Sequence, residues 1–395
     1  MAAASPAEDW NLETVSARQA WEKIDDASKV IVAIVDSGVF HSHPAFEGRL
    51  WEGRDEKSCG RDNDERTIGH GTRVASIVGA NDKNRPTVRG IAPKVKLMPV
   101  KIAKDGFSDD VDFARAIEAI VHAVRNGATI VNLSWSSSEP SAALRRCMDQ
   151  MARDHPEVLF VASPGNCDRG NRSVDIGEAP RFPASFGSPN TIVVTSTTTA
   201  DQLGTVSPVS STLVDLAAPG YQITTATTPD VPGGYGMRTG TSFAAPHVSG
   251  AAALLRALHP TWSFAQLKAH LMASVDRLPQ LQGKVVSGGR LNVAKAVIGP
   301  FANVSNETGG VWKIGSVQRI RWDVSYRTPA CTTVDVRWSN DGGASFPLSL
   351  VSKARNTGQL HITVPPGPTC QGKIRIQGSD TQFFADSEEP ITTQS

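Results

Sequence analysis

From residue 28 to about 298, short runs that are apolar at nearly every position alternate with longer stretches whose apolar residues recur every three or four positions. The short runs are Lys29–Val35, Lys96–Ile102, Thr129–Leu133, Val158–Ala162 and Thr191–Thr195. A strand without polar alternation is buried on both faces, as in the centre of a parallel sheet covered by helices. Between the runs, Val111–Asn126 places Val111, Phe113, Ala114, Ile117, Ile120, Val121 and Val124 at helical spacing, with Gly127 as the C-cap. Ala142–Asp154 and Ser263–Ser274 carry the same period. The expectation for residues 1–299 is an α/β domain with a doubly wound, mostly parallel sheet.

The texture changes after Gly299-Pro300. Val317–Val324, Thr332–Ser339, Leu360–Val364 and Lys373–Gln377 alternate as strands do, and Asn340-Asp341-Gly342-Gly343 supplies a tight turn. With no long helical period in it, the segment 300–395 reads as a small all-β sandwich.

Composition narrows the function classes. Of 395 residues, 39% are hydrophobic and 20% charged, enough for a large core and against disorder. Lys+Arg 40 against Asp+Glu 39 leaves a net charge of +1, so no whole-molecule field holds nucleic acid or an anionic membrane. The most apolar stretch, Gly250–Leu255, stops at Arg256, far short of a membrane span. Five scattered cysteines without a C-x-x-C pair argue against a disulfide scaffold and against structural zinc; the odd count leaves at least one thiol unpaired. The amino end lacks a basic start and an apolar core, so the expectation is no signal peptide in this chain: a cytosolic protein, or one read after a removed leader.

Four segments put reactive side chains at strand ends or helix starts. Asp36 closes the run Ile31–Val35, where open α/β sheets place their sites. Gly69-His70-Gly71-Thr72 lets backbone crowd around a histidine that begins a helix. Gly240-Thr241-Ser242-Phe243-Ala244-Ala245-Pro246 sets a serine at a helix start, and Ser163-Pro164-Gly165-Asn166 follows a strand with an amide that can donate to an oxyanion. Taken singly, Asp36 reads as a turn residue, His70 as part of a tight loop, Ser242 as an N-cap and Asn166 as a left-handed turn residue.

Together, in the order Asp, His, Ser, the motifs from about Trp10 to Val297 resemble those of the subtilases, the subtilisin-like serine peptidases. The resemblance implies that Ser242 is the nucleophile, His70 the general base and Asp36 the residue that orients the imidazole. It makes Asn166 and the Ser242 N–H the oxyanion hole. Gly106-Phe107-Ser108 and Ser134-Trp135-Ser136 resemble the two segments that hold substrate as an added β-strand, with Trp135 where a smaller aliphatic residue usually lines the specificity pocket. Asp109, Asp110 and Asp112 read either as a rim selecting basic residues or as a solvated first helical turn. His247 packs inside its helix on this reading, while His41, His43, His122 and His155 are surface or structural.

Several positions depart from the family pattern. Arg73 stands where many relatives have a second histidine, and Phe243 where they have methionine. Ala45, Arg85 and Pro86 count against the structural calcium that relatives bind there, and the chemistry itself requires no metal or cofactor. The implied function is a monomeric serine endopeptidase acting on proteins or peptides through an acyl-enzyme. The alternatives are a maturation protease for one partner and a catalytically weak binding protein. The tail, with Trp312, Trp322 and its NDGG turn, resembles Ig-like modules on bacterial extracellular proteases, which favours secretion; Cys331 and Cys370 pair if it is exported.

Overall fold

The computed structural model describes residues 9–52, 69–85, 88–102, 112–167, 174–298, 305–306, 311–322, 333–343, 345–378, 384–387 and 391–394. The chain divides into two compact units, Met1–Val297 and Ile298–Ser395.

In the first unit two short helices, α1 (Trp10–Thr14) and α2 (Ala17–Lys23), lead into β1 (Ile31–Asp36). Then come α3 (His70–Gly79), β2 (Lys96–Lys101), α4 (Phe113–Arg125), β3 (Ile130–Leu133), α5 (Ala142–Asp154), β4 (Leu159–Ala162), β5 (Thr191–Thr197) and β6 (Leu216–Pro219). An antiparallel pair, β7 (Ile223–Ala226) and β8 (Tyr235–Arg238), precedes α6 (Ala245–Leu258) and α7 (Phe264–Ala273). The unit closes with β9 (Asp276–Arg277), β10 (Gly289–Arg290) and α8 (Val293–Ile298).

The sheet order is β2-β1-β3-β4-β5-β6-β10-β9, parallel throughout except at the terminal β9–β10 pair. The doubly wound, mostly parallel α/β sheet expected from the unalternating runs is therefore present. Strand alternation assigns its two faces. Ala33, Val35, Met98, Val131, Leu133 and Phe160 share one buried cluster with Ala116 and Ile120 of α4 and Leu144 and Met148 of α5. Leu97, the neighbour of Met98, points the other way, and its methyls would lie 3.3 Å from a Cβ at Gly79 of α3. α6 packs on α3 and on β3 through β6.

Local chemistry explains the helix limits. Ser141 caps α5, its hydroxyl accepting from Leu144 N–H at 3.2 Å, and the observed Ala142–Asp154 coincides with the period. α4 starts at Phe113 because Asp112 is its N-cap; Val111 lies outside the described residues. Ser263 and Gln266 form a capping box at the start of α7.

The second unit contains β strands and no helix among its described residues from Ser305 on. Val317–Arg321, Thr333–Ser339, Gln359–Thr363 and Thr369–Gly378 lie at the alternating segments, each within a few residues of expectation. Leu348–Arg355 was not legible: mostly exposed, it shows no clean alternation and bulges at Lys353 (φ +52°). Trp312, Ile320, Trp322, Val336, Trp338 and Ile376, drawn from two sheets, share one core.

The α3–α6 contact tolerates no side chain at Gly250. A Cβ there would lie 2.6 Å from Ile91 Cβ and 3.3 Å from the Val78 carbonyl. Alanine gains about 1 kcal/mol of helix propensity over glycine, but overpacking costs about 1–3 kcal/mol, and at 2.6 Å the clash decides. Gly250→Ala should lower the urea midpoint of unfolding. A wild-type or higher midpoint would mean that Ile91 and α6 move apart readily.

Candidate active site

Asp36 ends β1 and is 1% exposed. Its Oδ1 accepts from the Ser37 N–H at 2.7 Å and from His70 Nδ1 at 2.8 Å. His70 is the first residue of α3, and Gly69 turns into it with φ +70°. The next position must be glycine, because a Cβ at Gly71 would lie 2.1 Å from the Gly38 carbonyl oxygen. The Gly71 N–H donates to Ser37 Oγ at 2.9 Å, and the Phe40 N–H donates to Thr72 Oγ1 at 2.9 Å. An ionised carboxylate only accepts, so Nδ1 carries the imidazole proton and Nε2 is the basic nitrogen.

Ser242 lies in the turn Thr241–Phe243, directly before α6, and α3 packs against this turn. The ring centroids of Phe243 and His70 are 5.6 Å apart, so the Asp36–His70 pair and the serine turn meet. The Thr241 N–H donates to Asn166 Oδ1 at 3.0 Å, and Thr241 Oγ1 donates to the Gly165 carbonyl at 2.6 Å. With its carbonyl end held against the serine turn, the exposed Asn166 has its amide NH₂ as the outward, donating end.

β3 and β4 are parallel neighbours, so the segments leaving their carboxyl ends run side by side. A Cβ at Gly165 would meet Ser136 Oγ at 2.5 Å. Ser134 is 1% exposed, and its hydroxyl donates to the Ser242 carbonyl at 2.9 Å. Trp135 is 5% exposed; its indole N–H donates to the Val35 carbonyl at 3.0 Å and its ring joins the α4–α5 layer, so it underlies the cleft and is not an open wall. Gly106, Phe107, Ser108, Asp109 and Asp110 lie outside the described residues. Asp112 takes the helix-turn reading, accepting from the Ala114 and Arg115 N–H groups at 3.1 and 3.2 Å.

A sequence profile described as the subtilase family matches residues 27–293. The chain belongs to the subtilase family. It is 32% identical over 252 residues to subtilisin NAT of Bacillus subtilis subsp. natto, covering 64% of this chain and 61% of that relative's length. With thermitase of Thermoactinomyces vulgaris it shares 31% identity over 288 residues, 72% of this chain and 94% of thermitase. The solved structure of the prenylagaramide maturation protease PagA matches with a TM-score of 0.58 and 27% identity, over 72% of this chain and 97% of that one.

In this subtilase the region to which the motif resemblance assigns a possible calcium is held by side chains. Asp82 has both oxygens engaged: Oδ1 accepts from the Asn84 N–H at 2.8 Å, and Oδ2 from the Tyr235 hydroxyl. The Arg85 guanidinium lies 4.6 Å from the Tyr235 ring centroid, where it would repel a cation. His43 donates from Nε2 to the Gly234 carbonyl at 2.8 Å and accepts at Nδ1 from the Ala45 N–H at 3.1 Å. These residues do not fit a calcium ion. Among the described residues no group of three or more His, Cys, Asp or Glu is disposed to hold a metal, and no helix is long and apolar enough to cross a membrane.

Sequence reasoning missed Ser37, Thr241, Asn132 and Asn11. A signal existed for Asn132, the polar residue inside the otherwise apolar Ile130–Leu133, and for Thr241, inside the serine motif. Asn11 had none, since its partner is distant in sequence: its Nδ2 donates to His247 Nε2 at 2.8 Å. His247 in turn donates from Nδ1 to the Phe243 carbonyl at 2.8 Å. The expectation that His247 packs within its helix holds, and it also ties the serine turn to α1.

Burial pushes His247 and His270 down to about 4. Each folded value lies below the ordinary histidine value of about 6.5, so between the two the unfolded chain binds more protons. Stability is therefore full above about pH 6.5 and declines as pH falls towards 4, by at most about 3 kcal/mol per histidine. Urea unfolding at pH 7.0, 5.5 and 4.5 should show this loss. A shallower slope in a variant with both histidines replaced by glutamine, measured against the wild type, would assign that part of the loss to them; an equal slope in that variant would assign it elsewhere.

Proposed function

We propose that this protein is a serine endopeptidase in which Ser242 is the nucleophile, His70 the general base and Asp36 the residue orienting the imidazole. The observation that carries the reading is the 2.8 Å Asp36–His70 hydrogen bond beside the turn that holds Ser242. His70 Nε2 takes the Ser242 hydroxyl proton as Oγ attacks the scissile carbonyl, and the carbonyl π electrons move onto its oxygen. The Asn166 NH₂ and the Ser242 N–H donate to that oxyanion. Collapse breaks the C–N bond, the leaving amine takes the proton from His70, and a serine ester remains. Water, deprotonated by His70, then hydrolyses the ester and restores the hydroxyl. The buried Asp36 carboxylate stabilises the imidazolium formed in each half-reaction. The described part of the substrate cleft is Ser136 facing Gly165; Gly106, Phe107 and Ser108, which resemble the family's other substrate-holding segment, lie outside the described residues.

A second reading is favoured by the likeness to PagA: maturation of one partner protein rather than general digestion. The two readings separate on an unfolded casein substrate, which a general endopeptidase degrades and a dedicated one leaves intact. We read the C-terminal unit as an Ig-like module, supported by its two sheets around Trp312, Trp322 and Trp338.

Ser242→Ala and His70→Ala should each lower kcat on a peptide anilide on the order of 10⁶-fold, the loss seen when either member is removed from a related triad. The double variant should fall little further, because the two residues act as one unit. Peptidase activity within tenfold of wild type in Ser242→Ala would exclude Ser242 as the nucleophile.

Asn166→Leu removes a donor that serves the oxyanion, and should lower kcat about 10²–10³-fold with KM little changed. An effect confined to KM would make Asn166 a substrate-binding residue instead.

A further inference from the structure

Two carbonyl groups of the serine turn, those of Ser242 and Phe243, lack ordinary helical partners. In an α-helix the Ser242 carbonyl would accept from the N–H four residues on, but that residue is Pro246, which has none. A buried carbonyl left without a donor is costly, and here the donor is a side chain. Ser134 Oγ–H donates to the Ser242 carbonyl at 2.9 Å. The hydroxyl has one proton, and its orientation is set from behind, because Ser134 Oγ accepts from Asn132 Nδ2 at 2.8 Å. Asn132 is held in turn: its Oδ1 accepts from Ser249 Oγ at 2.8 Å, while the alternative acceptor for Ser249, the Ala245 carbonyl, is at 3.4 Å.

The run Ser249–Asn132–Ser134–Ser242 thus points one way, from the interior of α6 through the carboxyl end of β3 to the serine turn. Asn132 and Ser249 are fully buried and Ser134 is 1% exposed, so water does not offer a substitute for any link. Asn132 and Ser134 stand two apart along the strand direction and share one face, towards α6. The adjacent Phe243 carbonyl has its own side-chain donor, His247, whose backbone N–H goes to Ala244.

We propose that Ser134 is a positioning residue for the nucleophile: its hydroxyl, aligned by Asn132 and Ser249, fixes the Ser242 carbonyl and with it the orientation from which Oγ attacks. This rests on the reading of Ser242 as the nucleophile, and it gives Ser134 a task other than the substrate contact implied by the family resemblance. Because the relay aims Oγ without touching substrate, its loss leaves substrate bound as before but the nucleophile misoriented, and falls on kcat and not on KM.

The test uses the full chain, a peptide anilide and a fluorophosphonate probe. Ser134→Ala should lower kcat about 5–20-fold, the size of one lost buried hydrogen bond, with KM within twofold. The acid limb of the kcat/KM profile, set by His70, should not move, and phosphonylation of Ser242 should slow in parallel with kcat. Ser249→Ala, which puts a strong helix former at the outermost link, should lower kcat two- to fivefold with the same KM, and it decides the matter if Ser134→Ala does not fold. Wild-type kcat in every variant that folds overturns the proposal, as does a rise in KM at unchanged kcat, which would restore Ser134 as a substrate contact. If wild-type protein is not phosphonylated at Ser242, it is the nucleophile assignment that fails.

Discussion

A missing side chain at residue 71 is the constraint on which the site depends. The first turn of α3 lies so close to the loop after β1 that a Cβ there would sit 2.1 Å from the Gly38 oxygen. Only at this separation does His70 reach Asp36, and only here can the Gly71 N–H find Ser37 Oγ. The same logic continues along the helix. At Gly79 the neighbour is Val95 and at Gly90 the α3 backbone, while Gly250 lets α6 approach from behind. Close packing at these glycines fixes α3 on several sides, so the fold places the backbone from which the imidazole reaches Asp36.

Buried polarity is concentrated where geometry matters, and much of it is paired in chains. At the sheet's carboxyl end Asp36, Ser37, Asn132, Ser134, Thr241 and Ser249 are each at most 1% exposed. Placed in an apolar interior, such groups cost stability unless paired, so they are tolerated only in the arrangement that pairs them, which selects one geometry. Farther along the sheet Lys268 meets Asp215 at 3.0 Å and also donates to the Thr191 carbonyl, tying α7 to β5 and β6. Burial raises the Asp215 carboxyl more than Lys268 lowers it. That pair therefore acts in register more than in net stabilisation.

Much of this was legible in the sequence, for identifiable reasons. The β1 to β5 runs lack polar alternation because helices cover both faces, and α5 is amphipathic with a capping serine at its start, so pattern and structure agree closely there. β6 was not visible: Leu216-Ala217-Ala218-Pro219 is too short and too bland to stand apart from a loop, and it is a strand only because β5 and β10 lie beside it. β9 and β10, two residues each, are products of tertiary pairing alone. At the site, the residues proposed to act chemically sit in motifs, whereas Asn132, Ser249 and Asn11, in the hydrogen-bond network around them, are ordinary polar residues. Their roles come from partners as many as 236 positions away. Sequence spacing carries no trace of such a pairing.

The topology explains why the site assembles between β1 and β3. The chain leaves β1 through α3 to reach β2 on one side, then crosses by α4 to β3 on the other, so connections diverge on opposite faces from adjacent strands. Divergence opens a crevice at the carboxyl ends of β1 and β3, which is where open α/β sheets bind ligands. Asp36 is the last residue of β1 and Ser134 the first after β3, so the rim of that crevice carries the Asp36 carboxylate on one side and the hydroxyl bonded to the serine turn on the other. His70 enters from the helix that leaves β1. Ser242 arrives from far along the chain on the turn before α6, the helix that lies against β3. Trp135, the next residue out, turns its ring under the sheet to pair with Val35 of β1. This joins the two strands beneath the crevice and holds its floor at a fixed width. The crevice is thus braced from below and anchored at both edges.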